Sequence, residues 1–497
     1  MLPNGRYVQR NCCLFVACIW VLLTFGCSSG PMFWPPSPQA GAASAFDTSG
    51  DGVNDFYMFA NEQGRITHIG YQRSPGDVEK INLDAVATSH ARHVVIILDG
   101  YGFDTINDYY QAGGLRMFHP PSLVIAPYPA MTDLAMVDIL GCIPCDGFEA
   151  RYFSNRRNRI VGGSCAYLAG DNQPYNDCLD YRAPLLWDAL GYVWPKHFFK
   201  RELKDALKSF EKSNRKEFLA YFVTSAGIST KEGRAGQIES LAQLEQFIHR
   251  LIYESRGLVK ITLTADHGHG CTTCKRIPLE AFLKAKGWRD HTRLDGPRDV
   301  VYIRFGLETY VGLHTLSPHE LAADLMELPG VDLASYADGD QVVVLASPRD
   351  GGGVSRATIA RKDGRYSYTP QAGDPLKLLG VLADMQADAD GFYDAEELLS
   401  ATARHEYPAA LERLWRAHFA LARNVPDVIV SLHDQWYSGS TSFAGAVTMA
   451  STHGSLNYRN SATFIMSTIA PLAPVMRGRD IPENLGAITG RSFPPKR

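Results

Sequence analysis

Residues 259–270, VKITLTADHGHG, constrain the chain more than any other stretch, because a run of β-branched residues stops at an acid, a histidine and a glycine. Val, Ile and Thr without an intervening polar alternation suit a strand buried on both faces, which belongs in an α/β sheet covered by helices. In such sheets the loop just past the carboxyl end of a strand is where ligands gather. Asp266 and His267 fall there. An Asp beside a His offers one hard oxygen and one borderline nitrogen, a pair suited to zinc or manganese, and Gly268 lets the backbone turn tightly. The plainer reading is a strand-terminal Asp with a hydrogen-bonded His. Three other strand ends bear on the choice.

Residues 93–99 (HVVIILD) form a second continuous apolar run that ends in Asp99. Buried strands rarely end in a carboxylate without a partner. A short strand over 123–126 leads into PYPAMTDL, where Thr132 precedes a helical apolar pattern at 134–140. A hydroxyl at that place reads by itself as a helix cap. Residues 217–223 (EFLAYFV) predict another buried strand and 238–254 an amphipathic helix. Late in the chain, 426–431 predict a strand, and 449–454 (MASTHG) carry His453.

Between these lie pieces of different character. Short strand-like runs at 299–305, 331–336, 341–346, 357–361 and 366–369, broken by Gly, Asp and Pro, suggest an α+β insertion, followed by helix over 396–422. With 497 residues, the chain exceeds what a single core usually holds. The patterns divide it into a signal or lipoprotein-type segment (1–27), a Pro/Ala/Gly/Ser tether (28–45), a small Asp-rich β segment (46–90), a core in two parts (91–295 and 426–480) interrupted by a cap-like insertion (296–425), and a C-terminal tail (481–497).

The amino terminus points to export. Arg6 and Arg10 precede an apolar run, 12–25, of signal-peptide length, and LLTFGCSSG then resembles a bacterial lipoprotein signal with Cys27 as the lipid-modified residue. The expected location is the periplasm or cell envelope, with a membrane anchor at Cys27 as one form of it. Cys142, Cys145, Cys165, Cys178, Cys271 and Cys274 remain after removal of that segment, and an even number outside the cytoplasm favours disulfides; CIPC and CTTC together are also a candidate four-thiolate zinc site. DTSGDGVND places oxygens at Asp47, Ser49, Asp51 and Asp55 with Gly52 after the third, the start of a calcium loop, although Met58 stands where an EF-hand has its bidentate Glu. An Asx-rich turn is the alternative. A net charge of −4 provides no footprint for nucleic acid, and the basic run at 151–159 (RYFSNRRNR) reads as a solvated loop.

Taken in order, VVIILDG, YPAMTD, LTADHGHG and STHGS resemble the alkaline phosphatase superfamily, in particular its nucleotide pyrophosphatase/phosphodiesterase branch. The resemblance spans about 92–467 and implies a three-layer αβα core with a mainly parallel sheet, to which the α+β insertion and an N-terminal Asp-rich hairpin are added. It implies that Thr132 is a nucleophile rather than a cap, and that Asp99, Thr132, Asp266 and His267 hold the ion that activates it. A second ion would take His453 with an Asp and a His that here align with Ala226 and Thr230. Ala226 has no donor and Thr230 is a poor zinc ligand, so one Zn²⁺ or Mn²⁺ is expected, and His453 is left to activate water and the leaving group, with His269 near enough in sequence to help. Arg151 and Asn155, in the loop after the nucleophile helix, are candidate substrate contacts.

The resulting expectation is an exported phosphohydrolase or phosphotransferase acting on a phosphorylated small molecule or envelope component. The competing expectation, from the two missing ligands, is a catalytically silent domain of the same fold that binds an envelope component or a partner.

Overall fold

The computed structural model describes residues 37–347, 352–445, 447 and 449–495. The signal segment, with Cys27, lies outside them. Among the described residues no helix is long and apolar enough to cross a membrane.

The organising strand, Val259–Ala265, lies in the middle of a seven-stranded sheet whose order is Val475–Arg477, Ser122–Ile125, Ala462–Ser467, Val259–Ala265, Arg92–Leu98, Glu217–Phe222 and Tyr181–Arg182. All of these run parallel except Ala462–Ser467, which is antiparallel to both of its neighbours. Every residue of Val259–Ala265 and of Glu217–Phe222 is buried, as expected for apolar runs sandwiched between helices. Val95, Ile97, Leu219 and Tyr221 face one side, against Thr132–Leu140 and Ile481–Thr489. Phe218 and Phe222 face the other, against Phe199 and Phe210 of Pro195–Lys212 and Phe247 of Ser225–Glu254. The core is therefore three-layered α/β. His93, the one imidazole inside a central strand, is satisfied by Glu217 at 2.7 Å and Thr262 at 2.8 Å.

A second sheet of eight strands holds the insertion, in the order Arg289–Asp290, Asp299–Tyr302, Tyr310–Thr315, Val428–Leu432, Val331–Asp338, Gln341–Ala346, Ser355–Lys362 and Arg365–Ala372. Val428–Leu432, expected to rejoin the first sheet, is instead built into the middle of this one, antiparallel to both neighbours. Its five residues are all buried, and an apolar run does not say which of two sheets will bury it. Helices Ala395–Thr402 and Ala410–Phe419 cover one face of the second sheet, and the same cluster takes in Tyr128, Met131 and Leu134 from the segment around Thr132.

The ends of the described chain differ from the tether and tail expected. Ala43–Phe46 is the first strand of an antiparallel sheet completed by Phe56–Ala60, Ile66–Ser74 and Asp77–Asn82. That sheet is joined to the core where the Tyr71 hydroxyl donates to the Tyr253 carbonyl at 2.7 Å. Ile481–Thr489 is a helix because Ile481 and Leu485, one turn apart, insert into the first core.

The two cores are tied through the helix Thr132–Leu140. Arg416, on Ala410–Phe419, makes a two-pronged ion pair with Asp138, on Thr132–Leu140, at 2.7 and 2.8 Å, with the side chains 14% and 7% exposed. A fork of this kind fixes orientation, and removal of one partner strands the other charge away from water. Asp138→Ala should cost about 3 kcal/mol in equilibrium denaturation, and the double change Asp138→Leu with Arg416→Met should recover most of the loss. A single variant as stable as the parent would show that the pair does not join the cores.

Candidate metal centre

Three of the expected strand ends meet at one point. Asp99 follows Arg92–Leu98 and Asp266 follows Val259–Ala265, two neighbouring parallel strands that pair Leu98 with Ala265, so the acids emerge side by side. Ligand atoms of Asp99, Asp266 and His267 lie within 4.8 Å of one another, all buried. Each carboxylate is held by one oxygen and leaves the other without a hydrogen-bond partner. Tyr221 donates to Asp99 Oδ2 at 2.5 Å, while Asp266 Oδ1 accepts the Gly100 and His267 N–H groups at 3.0 and 2.8 Å. The oxygens left over are Asp99 Oδ1 and Asp266 Oδ2.

His267 presents its Nε2 to the same point. Its Nδ1–H donates to the Gly268 carbonyl at 2.8 Å, which fixes the tautomer and leaves the Nε2 lone pair free. Gly268 is required here, since a Cβ would stand 2.2 Å from the Arg459 carbonyl oxygen. His267 Nε2 is 3.5 Å from Asp266 Oδ2, 3.8 Å from Asp99 Oδ1 and 3.4 Å from Thr132 Oγ1. For a tetrahedral ion with bonds of about 2.1 Å the edges of the tetrahedron are about 3.4 Å. Asp99, Asp266 and His267 can thus hold one metal ion, with the Thr132 hydroxyl beside them 3.4 Å from the imidazole.

Thr132 is the first residue of Thr132–Leu140, and no side chain caps that helix: the capping position is Met131. Its hydroxyl faces the acids and His267 rather than its own helix. The electrostatics agree with the geometry. Burial, and next the neighbouring Asp266, hold Asp99 well above the usual carboxylate range, burial pushes Asp266 up to about 7, and burial pulls His267 down to about 4. Two desolvated acids side by side resist ionisation until a cation joins them.

His453 is not in the converging set. Its ring stacks on His267 with centroids 3.9 Å apart, and its Nδ1 donates to the Ala130 carbonyl at 2.9 Å. His269 lies 5.5 Å from His453, ring to ring, with its Nδ1 against Ser451 at 2.5 Å and a buried Nε2 without a partner. Burial holds both imidazoles well below their ordinary pKa. Ala226 and Thr230 are buried in Ser225–Glu254, and among the described residues no other acid or imidazole completes a second ligand group near them. Tyr221 and Ser225, whose hydroxyl accepts the Asp99 N–H at 2.8 Å, were not anticipated. The register that sets Tyr221 beside Ile97 is the only signal for them, and it exists between strands.

Two other expectations fare differently. The Asp47 carboxylate accepts from the N–H groups of Gly50 and Gly52 at 2.6 Å each, and Asp55 accepts from Thr48, the arrangement of an Asx turn. Among the described residues, Asp47, Ser49, Asp51 and Asp55 do not form a converging ligand group. Among the described residues no disulfide joins the six cysteines; the Cys142 and Cys178 sulfurs approach to 3.8 Å, and CIPC and CTTC do not combine into a four-thiolate group.

No family model matches the sequence, and no curated protein does. Among solved structures the chain is similar to murine ectonucleotide pyrophosphatase/phosphodiesterase 5, with a TM-score of 0.43 and 11% identity over 82% of this chain and 97% of the other. The human protein of the same name matches with a TM-score of 0.43 and 11% identity over 82% and 96%. What the site of this chain can do rests on its own side chains.

The isosteric change Asp266→Asn tests the centre. Asn keeps the Oδ1 acceptor for the two N–H groups but removes the charge. Zinc titration of the chelator-treated protein followed by elemental analysis should give about one bound ion for the parent and none for the variant at micromolar metal. In chelator at pH 8 the variant should melt higher than the parent, because one of two crowded acids is gone, and added zinc should reverse that order. Equal zinc content in both proteins would remove Asp266 from the ligand set.

Proposed function

We propose that this chain is a metal-dependent phosphohydrolase or phosphotransferase that works through Thr132. The observation that carries the reading is the uncapped hydroxyl of Thr132, 3.4 Å from His267 Nε2 and facing the two unpartnered carboxylate oxygens. A divalent cation bound by Asp99, Asp266, His267 and the Thr132 oxygen would supply the charge that acidifies the hydroxyl and draws a phosphoryl oxygen.

The chain's own groups account for the rest. Thr132 loses its proton to solvent, its Oγ1 attacks phosphorus as the ester bond to the leaving group breaks, and the departing oxygen takes up a proton from solvent, giving phosphothreonine. In the second step water or an alcohol bonds to phosphorus as the phosphorus–Oγ1 bond breaks and Thr132 regains a proton. The free N–H groups at the start of Thr132–Leu140 face the phosphoryl oxygens, where the helix dipole favours negative charge. Tyr221 and Ser225 hold Asp99 in place, so its oxygen and that of Asp266 need no reorganisation. His453 is anchored through Nδ1 and neutral at physiological pH, so its Nε2 accepts a proton from the water or alcohol that attacks phosphothreonine in the second step. His269 lies behind it as a second neutral imidazole. The absence of ligands at Ala226 and Thr230 supports a single-ion mechanism. The substrate this favours is a phosphorylated small molecule or envelope component met outside the cytoplasm.

The same absence is what supports the second reading, a binding protein that retains the metal but not turnover. Bis- and mono-nitrophenyl phosphate, assayed with Zn²⁺, Mn²⁺, Mg²⁺ and Ca²⁺, separate the two. The parent should turn over at least one ester with Zn²⁺ or Mn²⁺, and Thr132→Ala should lower that rate by at least about 10³-fold while zinc binding persists. Activity unaffected by Thr132→Ala would discard the nucleophile, and a zinc-loaded parent inert towards both esters would favour the binding protein.

A further inference from the structure

The basic run at 151–159 is not spread over the surface as a solvated loop. It forms most of a hairpin, Arg151–Ser154 with Arg159–Gly162, that follows the nucleophile helix and closes over the segment at 292–294. Between hairpin and segment lies a cleft of about 630 Å³ lined by Arg151, Arg157, Asn158, Arg159, Thr292 and Arg293, with Gly162 and Gly163 completing its wall. None of these residues belongs to the metal centre.

Three features make the cleft a site rather than a gap. First, half of its charge is uncompensated: Arg293 pairs with Asp295 at 2.9 Å and Arg151 acts on the Glu149 carboxylate, but among the described residues neither Arg157 nor Arg159 has an ion-pair partner. Guanidinium groups remain charged at any physiological pH, so these two set a positive field at one cavity that attracts an anion although the chain's net charge is −4. Second, the walls are held in register. Asn158, at the hairpin tip with φ of 43°, donates to the Leu294 carbonyl and accepts the Leu294 N–H, both at 2.8 Å. That amide clamp holds the Arg157 and Arg159 backbones at a set distance from Arg293, so their placement precedes any ligand. Third, a Cβ at Gly163 would meet nothing within 4 Å, so the wall is open to close approach.

We propose that this cleft binds a soluble ligand carrying two or more phosphoryl groups, at a site separate from the metal centre. The guanidinium fork matches phosphoryl oxygens two at a time, and each phosphoryl group brings nearly two negative charges at neutral pH. Arginines on opposite walls call for a ligand with separated anionic groups, and a cleft of this volume takes a molecule larger than one orthophosphate ion. The inference does not depend on the catalytic reading.

Isothermal titration of the full chain with pyrophosphate, tripolyphosphate, orthophosphate and citrate, in chelator so that the metal centre stays empty, tests it. Pyrophosphate and tripolyphosphate should bind saturably at micromolar to millimolar concentration, at least tenfold tighter than orthophosphate or citrate, and more weakly as salt is raised. Arg157 and Arg159 are exposed, so their replacement should leave the fold intact. Arg157→Ala with Arg159→Ala should weaken binding at least tenfold, Arg157→Glu with Arg159→Glu should abolish it, and Asp266→Asn should leave it unchanged. Binding indifferent to the arginine changes, binding lost in Asp266→Asn, citrate bound as tightly as pyrophosphate, or no saturable binding would each overturn the proposal. Failure of the nitrophenyl esters to turn over would leave it standing.

Discussion

Two carboxylates buried side by side at the ends of adjacent parallel strands are the constraint on which the rest of this molecule depends. Asp99 and Asp266 are each tethered through one oxygen, and each leaves the other oxygen unsatisfied in a desolvated pocket. An arrangement of this kind destabilises a fold by itself, because both acids are pushed towards a neutral form that their hydrogen bonds oppose. The surrounding groups make sense once a cation is allowed for. They fix one oxygen of each acid, select the tautomer of His267 and turn Thr132 inward, so that four donors converge without further movement.

Thr132 sits where two cores meet, and this has consequences for how rigidly it is held. Tyr128, Met131 and Leu134 pack into the core of the second sheet, whereas Met136, Val137, Ile139 and Leu140 pack into that of the first. Helix Thr132–Leu140 is therefore gripped on both sides, and the Arg416–Asp138 fork adds a directional bond across the joint. A hydroxyl that must stay within a few tenths of an ångström of its place benefits from a support of this kind more than one on a free loop does. The second sheet is in this sense part of the site's scaffold and not only a lid upon it.

The imidazoles divide into two sets by their anchors. His267 is tied to the backbone of its own loop, while His453 and His269 are tied to Ala130 and Ser451, and so to the segment before Thr132 and to the late loop. The loop at 449–454 reaches the centre from a part of the chain that belongs to neither flanking strand. At Ala226 and Thr230 the helix Ser225–Glu254 offers neither a carboxylate nor an imidazole, so the two rings lie beside the centre without a second ligand group among the described residues.

Asp99, Asp266 and His267 were legible in the sequence because each is punctuation, an acid or an imidazole that ends a run of apolar residues, whereas Thr132 read locally as a helix cap and joined them only through the family resemblance. Local patterning likewise determined the apolar strands, some of the helices and the α+β character of the insertion, since burial on both faces leaves a continuous apolar run and a hairpin leaves its turn residues. Only the tertiary structure decided which sheet would take Val428–Leu432, because either core could bury the same five residues. It alone decided that Tyr221 and Ser225 hold Asp99, that His453 stacks on His267, that the Asp47 loop closes on its own N–H groups, and that Arg157, Arg159 and Arg293 face one cleft. Those are relations between segments far apart in the chain, set by strand register and by competition for buried volume, and neither quantity is written in any one segment.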